Sequence, residues 1–254
     1  MTKVFRFLAI CTISIAFATS MAWAQTYTAV NYPGAALTEL IGGPNPQGTS
    51  VGGYTLTAGG ALHGFTLKDG VFTSFDPPGS TFTTVNFINP RGDIVGTYVD
   101  ARGVSHGFVL SGGTYTTVDY PGAAGTGLSS VNPSGEMSGA TCSDPACGAF
   151  GATNVTHGFL VSEKGVFSAT FDPPGAASST TSVVIPNGGV IGAYTNVSGT
   201  TCSTQCQGYM LFQGSYATIS FPGSSFTFAG GANAEVHVAG IYVDAAGAGQ
   251  GFLI

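Results

Sequence analysis

Charge is scarce in this chain. Only 7% of its 254 residues are charged, with six Lys and Arg against twelve Asp and Glu. Four of the six basic side chains, Lys68, Arg91, Arg102 and Lys164, lie beyond the first 24 residues, where the net charge is −8. That leaves no basic patch of the kind that nucleic acid or an anionic membrane surface requires. Beyond residue 24 no apolar run approaches the roughly 18 residues of a membrane-spanning helix. No 11-residue stretch there shows three-and-four apolar spacing free of Gly or Pro, which argues against helices. Gly-x-Ser-x-Gly elbows, phosphate-binding loops and His-Glu-x-x-His are all missing, so no reaction is announced by motif.

What is abundant points elsewhere. Hydrophobic residues make up 43% of the chain and glycine 40 positions, with 18 Phe and 10 Tyr. That content is too apolar for disorder despite the low charge. Apolar β-formers punctuated by Gly and Pro predict an all-β protein of short strands and tight turns.

The start of the chain reads as a secretory signal over residues 1–24. Lys3 and Arg6 form the charged start, Phe7 to Ala18 the apolar run, and Ala22-Trp23-Ala24 the small-residue cleavage site. A secreted or periplasmic product beginning at Gln25 is expected. Four cysteines follow: Cys142, Cys147, Cys202 and Cys206. An even number in an exported chain favours disulfides, and four allow three connectivities. The close spacings also suit zinc, but neither loop carries an accompanying His. Local structural bridges, Cys142 to Cys147 and Cys202 to Cys206, are the expectation, with no metal and no cofactor.

One unit is written five times. Its plan is an aromatic strand, Asp-x-Pro-Gly, a Ser/Thr-rich strand, Asn-Pro-x-Gly, an apolar strand ending in Gly-x-Tyr, and His-Gly-Phe. The last element recurs at His63, His106 and His157, then as Gln207-Gly208-Tyr209 and Gln250-Gly251-Phe252, at steps of 43, 51, 50 and 43 residues. The two longer steps hold the cysteine insertions. Such a period signals stacked or radial repeats. Four antiparallel strands per copy exclude a β-helix and predict a five-bladed β-propeller of about 43–51-residue, four-stranded repeats. The expected arrangement is a single domain over 25–254, with blades at about 26–67, 71–110, 114–161, 166–212 and 215–254.

The run Asn89-Pro90-x-Gly92-x-Ile94-Val95-Gly96, with Gly103 and His106-Gly107-Phe108, resembles the HAF-type repeat of bacterial extracellular proteins. Gly stands here for the Ala of the family's His-Ala-Phe tripeptide. The resemblance implies export and a propeller-like architecture, not a chemistry.

Candidate functional residues are few. Because Gln replaces His in two copies, His63, His106 and His157 are read as structural hydrogen-bonding residues tied to a neighbouring turn. Asp76, Asp119 and Asp172 are copies of one turn residue. Glu39 is the one unrepeated acid inside an expected strand, and a propeller glycosidase needs at least a pair. The residues preceding Pro-Gly in the first turn include Tyr32, Tyr120 and Phe221, an aromatic rim suited to ligand binding. No catalytic residue is assigned. The function read from the sequence is a structural or interaction module for an extracellular protein or polysaccharide. A lectin-like carbohydrate binder is the alternative, and a glycoside hydrolase or lyase the last.

Overall fold

The computed structural model describes residues 28–145, 155–198, 202 and 205–254. The expected signal peptide and Cys147 lie outside them. All regular structure in the described residues is β. Sheet one comprises β1 Leu37–Gly42, β2 Ser50–Thr55, β3 His63–Lys68 and β4 Val71–Phe75. Sheet two comprises β5 Ser80–Ile88, β6 Ile94–Asp100, β7 Ser105–Ser111 and β8 Thr114–Val118. Sheet three comprises β9 Gly125–Val131, β10 Met137–Cys142 and β11 Thr156–Val161. Sheet four comprises β12 Ser178–Val184, β13 Val190–Thr195, β14 Gln207–Phe212 and β15 Ser215–Ile219. Sheet five comprises β16 Phe226–Ala232, β17 Val238–Val243 and β18 Gly249–Leu253. Every sheet is an antiparallel meander in chain order. In sheet three the fourth strand shrinks to bridges from Phe167 to Val161 and from Phe171 to Gly158. The architecture is a five-bladed β-propeller.

The blade boundaries differ from the sequence expectation. From the second copy onward, the aromatic segment belongs to the sheet before it, not the sheet after. Val71–Phe75 pairs with His63–Lys68 and closes sheet one. The cause is the hairpin at Asp69-Gly70, where φ is +50° and +78°. Two successive positive φ values make the two-residue turn that returns a strand directly onto its neighbour. Gln213-Gly214 and Gly112-Gly113 do the same. Asp-x-Pro-Gly is therefore the link between sheets. It delivers the chain to the first strand of the next sheet, and first strands from sheets one to four surround a central cavity of about 350 Å³.

A single device fixes each sheet. The Gly of Val-Gly or its equivalent, in the second strand, sits under the aromatic ring of the third strand. A Cβ on Gly96 would overlap the Thr84 carbonyl and come within 2.7 Å of the Phe108 ring. Gly52, Gly139, Gly192 and Gly240 are placed identically beneath Phe65, Phe159, Tyr209 and Phe252. Phe65, Phe159 and Tyr209 are fully buried, and Phe108 nearly so. The Gly of His-Gly-Phe makes room for the next sheet. Gly64 faces Val85, Gly107 faces Leu128, Gly158 faces Thr181 and Gly208 faces Ala229. The core accordingly lies between adjacent sheets, as in the cluster Val51, Val85, Ile88, Ile94, Tyr98 and Phe108. Apolar burial of this kind supplies the main stabilisation, and a small sheet cannot obtain it alone.

The Asn-Pro-x-Gly turns tie blades along the opposite face. Asn45 Nδ2 donates to the Asn89 carbonyl at 3.4 Å, and Asn89 Nδ2 to the Asn132 carbonyl at 3.1 Å. Sheet four has Ile185 at this position, and the ladder of side-chain amides stops there.

Candidate functional site

The face bearing the Asp-x-Pro-Gly turns also bears the ends of the second strands and the starts of the third strands. Its histidines begin the third strands. His63 Nδ1 lies 2.8 Å from Asp76, His106 Nδ1 2.9 Å from Asp119, and His157 Nδ1 2.8 Å from Asp172. The expected hydrogen bond to a turn is thus present, with the turn residue of the same repeat position as acceptor each time. Sheet four replaces this pair with Gln207, whose Oε1 accepts from the Tyr194 hydroxyl at 2.6 Å.

A tyrosine from the second strand completes the unit. Tyr54 and Tyr98 lie beside His63 and His106, with ring centroids 5.3 and 5.0 Å apart. Their hydroxyls meet Ser74 and Thr117 at 2.8 and 3.0 Å. Burial pushes the Tyr54 phenol upward, against the opposing hydrogen bond with Ser74. In sheet two a second carboxylate approaches, with Asp100 Oδ2 3.6 Å from His106 Nε2. Hydrogen bonds from the Val104 amide and from Arg102 hold the Asp100 carboxyl well below the usual range.

The aromatic rim does not form one site. Tyr32, Tyr120 and Phe221 lead into sheets one, three and five. Tyr32 stacks on Tyr54 and Phe221 on Tyr242, at 3.7 and 3.6 Å with planes 7° apart. Tyr120 packs against Phe159 and Phe167, and its hydroxyl donates to the Ser168 carbonyl. The reason for that difference is Thr141. It stands where sheets one, two, four and five have tyrosine, so Tyr120 has no strand tyrosine to stack on. An open depression of about 340 Å³ results, lined by Tyr120, Thr141, Cys142, Ser143, His157 and Thr170 among others. The His157 side chain is 43% exposed. Sequence reasoning missed this site, although Gly139-Ala140-Thr141 already broke the Gly-x-Tyr pattern.

Cys202 and Cys206 form a disulfide with Cα atoms 5.0 Å apart. Cys142 is disulfide-bonded as well. Glu39 lines the central cavity beside Asn86, Ser129, Thr180 and other side chains, and it is the one acid among those lining residues.

No protein-family model matches the chain, and no curated protein matches its sequence. Its fold is similar to a streptogramin B lyase structure, at 12% identity and a TM-score of 0.50, over 86% of this chain and 69% of that one. It is also similar to an acylaminoacyl peptidase in complex with Z-Gly-Gly-Phe-chloromethyl ketone, at 9% identity and a TM-score of 0.54, over 86% of this chain and 38% of that one. A Pyrococcus horikoshii acylaminoacyl peptidase gives 10% identity and a TM-score of 0.50, over 81% and 35%. The chain thus spans little more than a third of either peptidase. At these identities the likeness is one of fold.

Proposed function

We propose that the chain is an exported interaction module whose turn-bearing face holds an extracellular protein or polysaccharide without transforming it. The observation that carries this reading is the repeated pairing of His63, His106 and His157 with Asp76, Asp119 and Asp172. One pair at the same place in three sheets is a strut of the scaffold, not a unique catalytic centre. The Cys202–Cys206 disulfide supports an oxidising compartment, and the HAF-type resemblance points the same way. Export predicts a mature chain beginning at Gln25. It would lack Trp23, the single Trp, and so show tyrosine emission only. An intact mass that retains Trp23 contradicts export by this route.

A carbohydrate is the second reading, favoured by the depression at sheet three. An aromatic side chain, an imidazole and three hydroxyls from Thr141, Ser143 and Thr170 converge there. Apolar and polar groups in one concavity suit a sugar ring. A glycan array probed with the purified protein tests both readings. Saturable binding lost in Tyr120→Ala supports the sugar reading. A glycan that is cleaved, seen as a mass change in the product, overturns the proposal that the module only binds.

A further inference from the structure

Four of the five junctions between sheets are built alike, and the fifth is not. At each regular junction a first-strand residue covers the glycine of the preceding His-Gly-Phe element. Val85, Leu128 and Ala229 do this with at most 1% exposure, and Thr181 with 3%. Strand register makes Leu40 their equivalent in sheet one, since Leu40 pairs with Gly52 as Val85 pairs with Gly96. Leu40 is 46% exposed, and its neighbours Leu37 and Ile41 are similarly uncovered. The matching glycine is Gly251 in sheet five. A Cβ there would meet only the Gly240 carbonyl, at 3.9 Å. Ile241 and Leu253 of the same sheet are 53% and 75% exposed.

Sheet five also lacks an outer strand among the described residues, which leaves the β18 edge unpaired. Unpaired edges are templates for strand addition. The chain holds one more copy of the missing element. Tyr27-Thr28-Ala29-Val30-Asn31-Tyr32-Pro33-Gly34 matches Tyr115-Thr116-Thr117-Val118-Asp119-Tyr120-Pro121-Gly122, whose Thr114–Val118 is the outer strand of sheet two. Thr28 to Val30 carry no strand in this structure. The polar partners match as well. Where the third strand has His, the following turn has Asp. Sheet five has Gln250, and the turn that would follow its outer strand has Asn31, a neutral pair of donors and acceptors at the same two positions.

We propose that Thr28–Val30 docks on β18 as the outer strand of sheet five and draws Leu40 onto Gly251. The register of sheet two, where Gly107 faces Val118 and Val109 faces Thr116, sets Val30 opposite Gly251, Ala29 opposite Phe252 and Thr28 opposite Leu253. Asn31 then meets Gln250, and one junction buries what both sheets now expose.

The test is the double variant Thr28→Cys with Leu253→Cys, mildly oxidised and peptide-mapped without reduction. A link between the two introduced cysteines within one monomer is expected. An off-register control, Thr28→Cys with Gly249→Cys, should link at least tenfold less. A link between two chains, read from the intact mass, overturns the proposal in favour of a second copy on the β18 edge. Equal linking of both variants overturns the register. Leu40→Asp supplies an independent readout. Closure requires a loss of melting temperature comparable to that of Val85→Asp, in a protein that remains monomeric. An unchanged melting temperature would mean that Leu40 stays in solvent and that the junction is open.

Discussion

His106 Nδ1 sits 2.9 Å from the Asp119 carboxylate, thirteen residues along the chain, across the two strands of a hairpin. The bond joins the start of β7 to the turn that leaves sheet two. It therefore holds the link between blades to the blade it departs from. His106→Gln keeps an amide donor on the side chain, and Gln already stands at this repeat position as Gln207 and Gln250, so the melting temperature should be nearly unchanged. His106→Ala removes the donor. Because half of the Asp119 side chain is exposed, the expected cost is only about 1 kcal/mol, measured by denaturant unfolding. Loss of ligand binding in His106→Gln with unchanged melting would make the histidine functional instead.

Gly96→Ala should do far more damage. The added methyl would collide with the Thr84 carbonyl and the Phe108 ring, and neither can yield without opening a strand pair. Overpacking of this kind costs about 1–3 kcal/mol, and more when backbone must move. Thermal unfolding should show a loss of at least that size. A wild-type melting curve would mean that the strands separate freely at this point.

Much of this architecture was legible in the sequence because it is repeated. The period announced the propeller, and Gln at two of the five positions showed that His63, His106 and His157 act as hydrogen-bonding struts. The blade boundaries were not legible in the same way. They depend on whether Asp69-Gly70 or Asp76-Pro77-Pro78-Gly79 makes the tighter return, which is a matter of two positive φ values. The glycine-under-ring device needs cross-strand register, so Gly96 and Phe108 read as separate motifs along the chain. The depression beside Tyr120 arises from one absent side chain, that of a tyrosine at position 141. A motif search passes over such a site because the deviation, not the motif, makes it.

Acid should weaken the junction of sheets two and three. Asp93 is buried, which alone would raise its carboxyl. Hydrogen bonds from Ser111 and Asn89 and the charge of Arg91 outweigh burial and hold it below the usual Asp value. Ser111 Oγ donates at 2.6 Å and Asn89 Nδ2 at 2.8 Å. A carboxyl depressed in the folded state stabilises fully above its unfolded value near pH 4, and that stabilisation disappears as pH falls through the lower folded value. Stability should therefore drop below about pH 4, and Asp93→Asn should flatten the fall while lowering stability at neutral pH. Denaturant midpoints measured from pH 2 to pH 7 decide this, and an equal acid slope in both proteins would remove Asp93 as the cause.

The cysteines give a redox prediction. Mapping without reduction should recover Cys202 linked to Cys206 and, by equivalence of the two insertions, Cys142 linked to Cys147. Reduction of either short loop should cost about 2 kcal/mol by loop entropy. A bridge between the two insertions would break the equivalence on which the second pairing rests.

Tyr209 offers a substitution that should stabilise. It occupies the place of Phe65, Phe108, Phe159 and Phe252 over the second-strand glycine, and it is wholly buried. Its hydroxyl oxygen has no hydrogen-bonding partner among the described residues, and burial drives the phenol well above its ordinary pKa. A buried hydroxyl without a partner retains most of its desolvation penalty, about 1–3 kcal/mol. The ring itself is required, because it fills the space above Gly192. Tyr209→Phe keeps the ring and removes the penalty, so unfolding should become harder by about 1 kcal/mol. Tyr209→Leu, which loses the ring as well, should instead destabilise the fold by leaving a cavity. If Tyr209→Phe lowered stability, the hydroxyl would have to be satisfied in solution, and the fourth blade would depart from its sisters by design of that one bond.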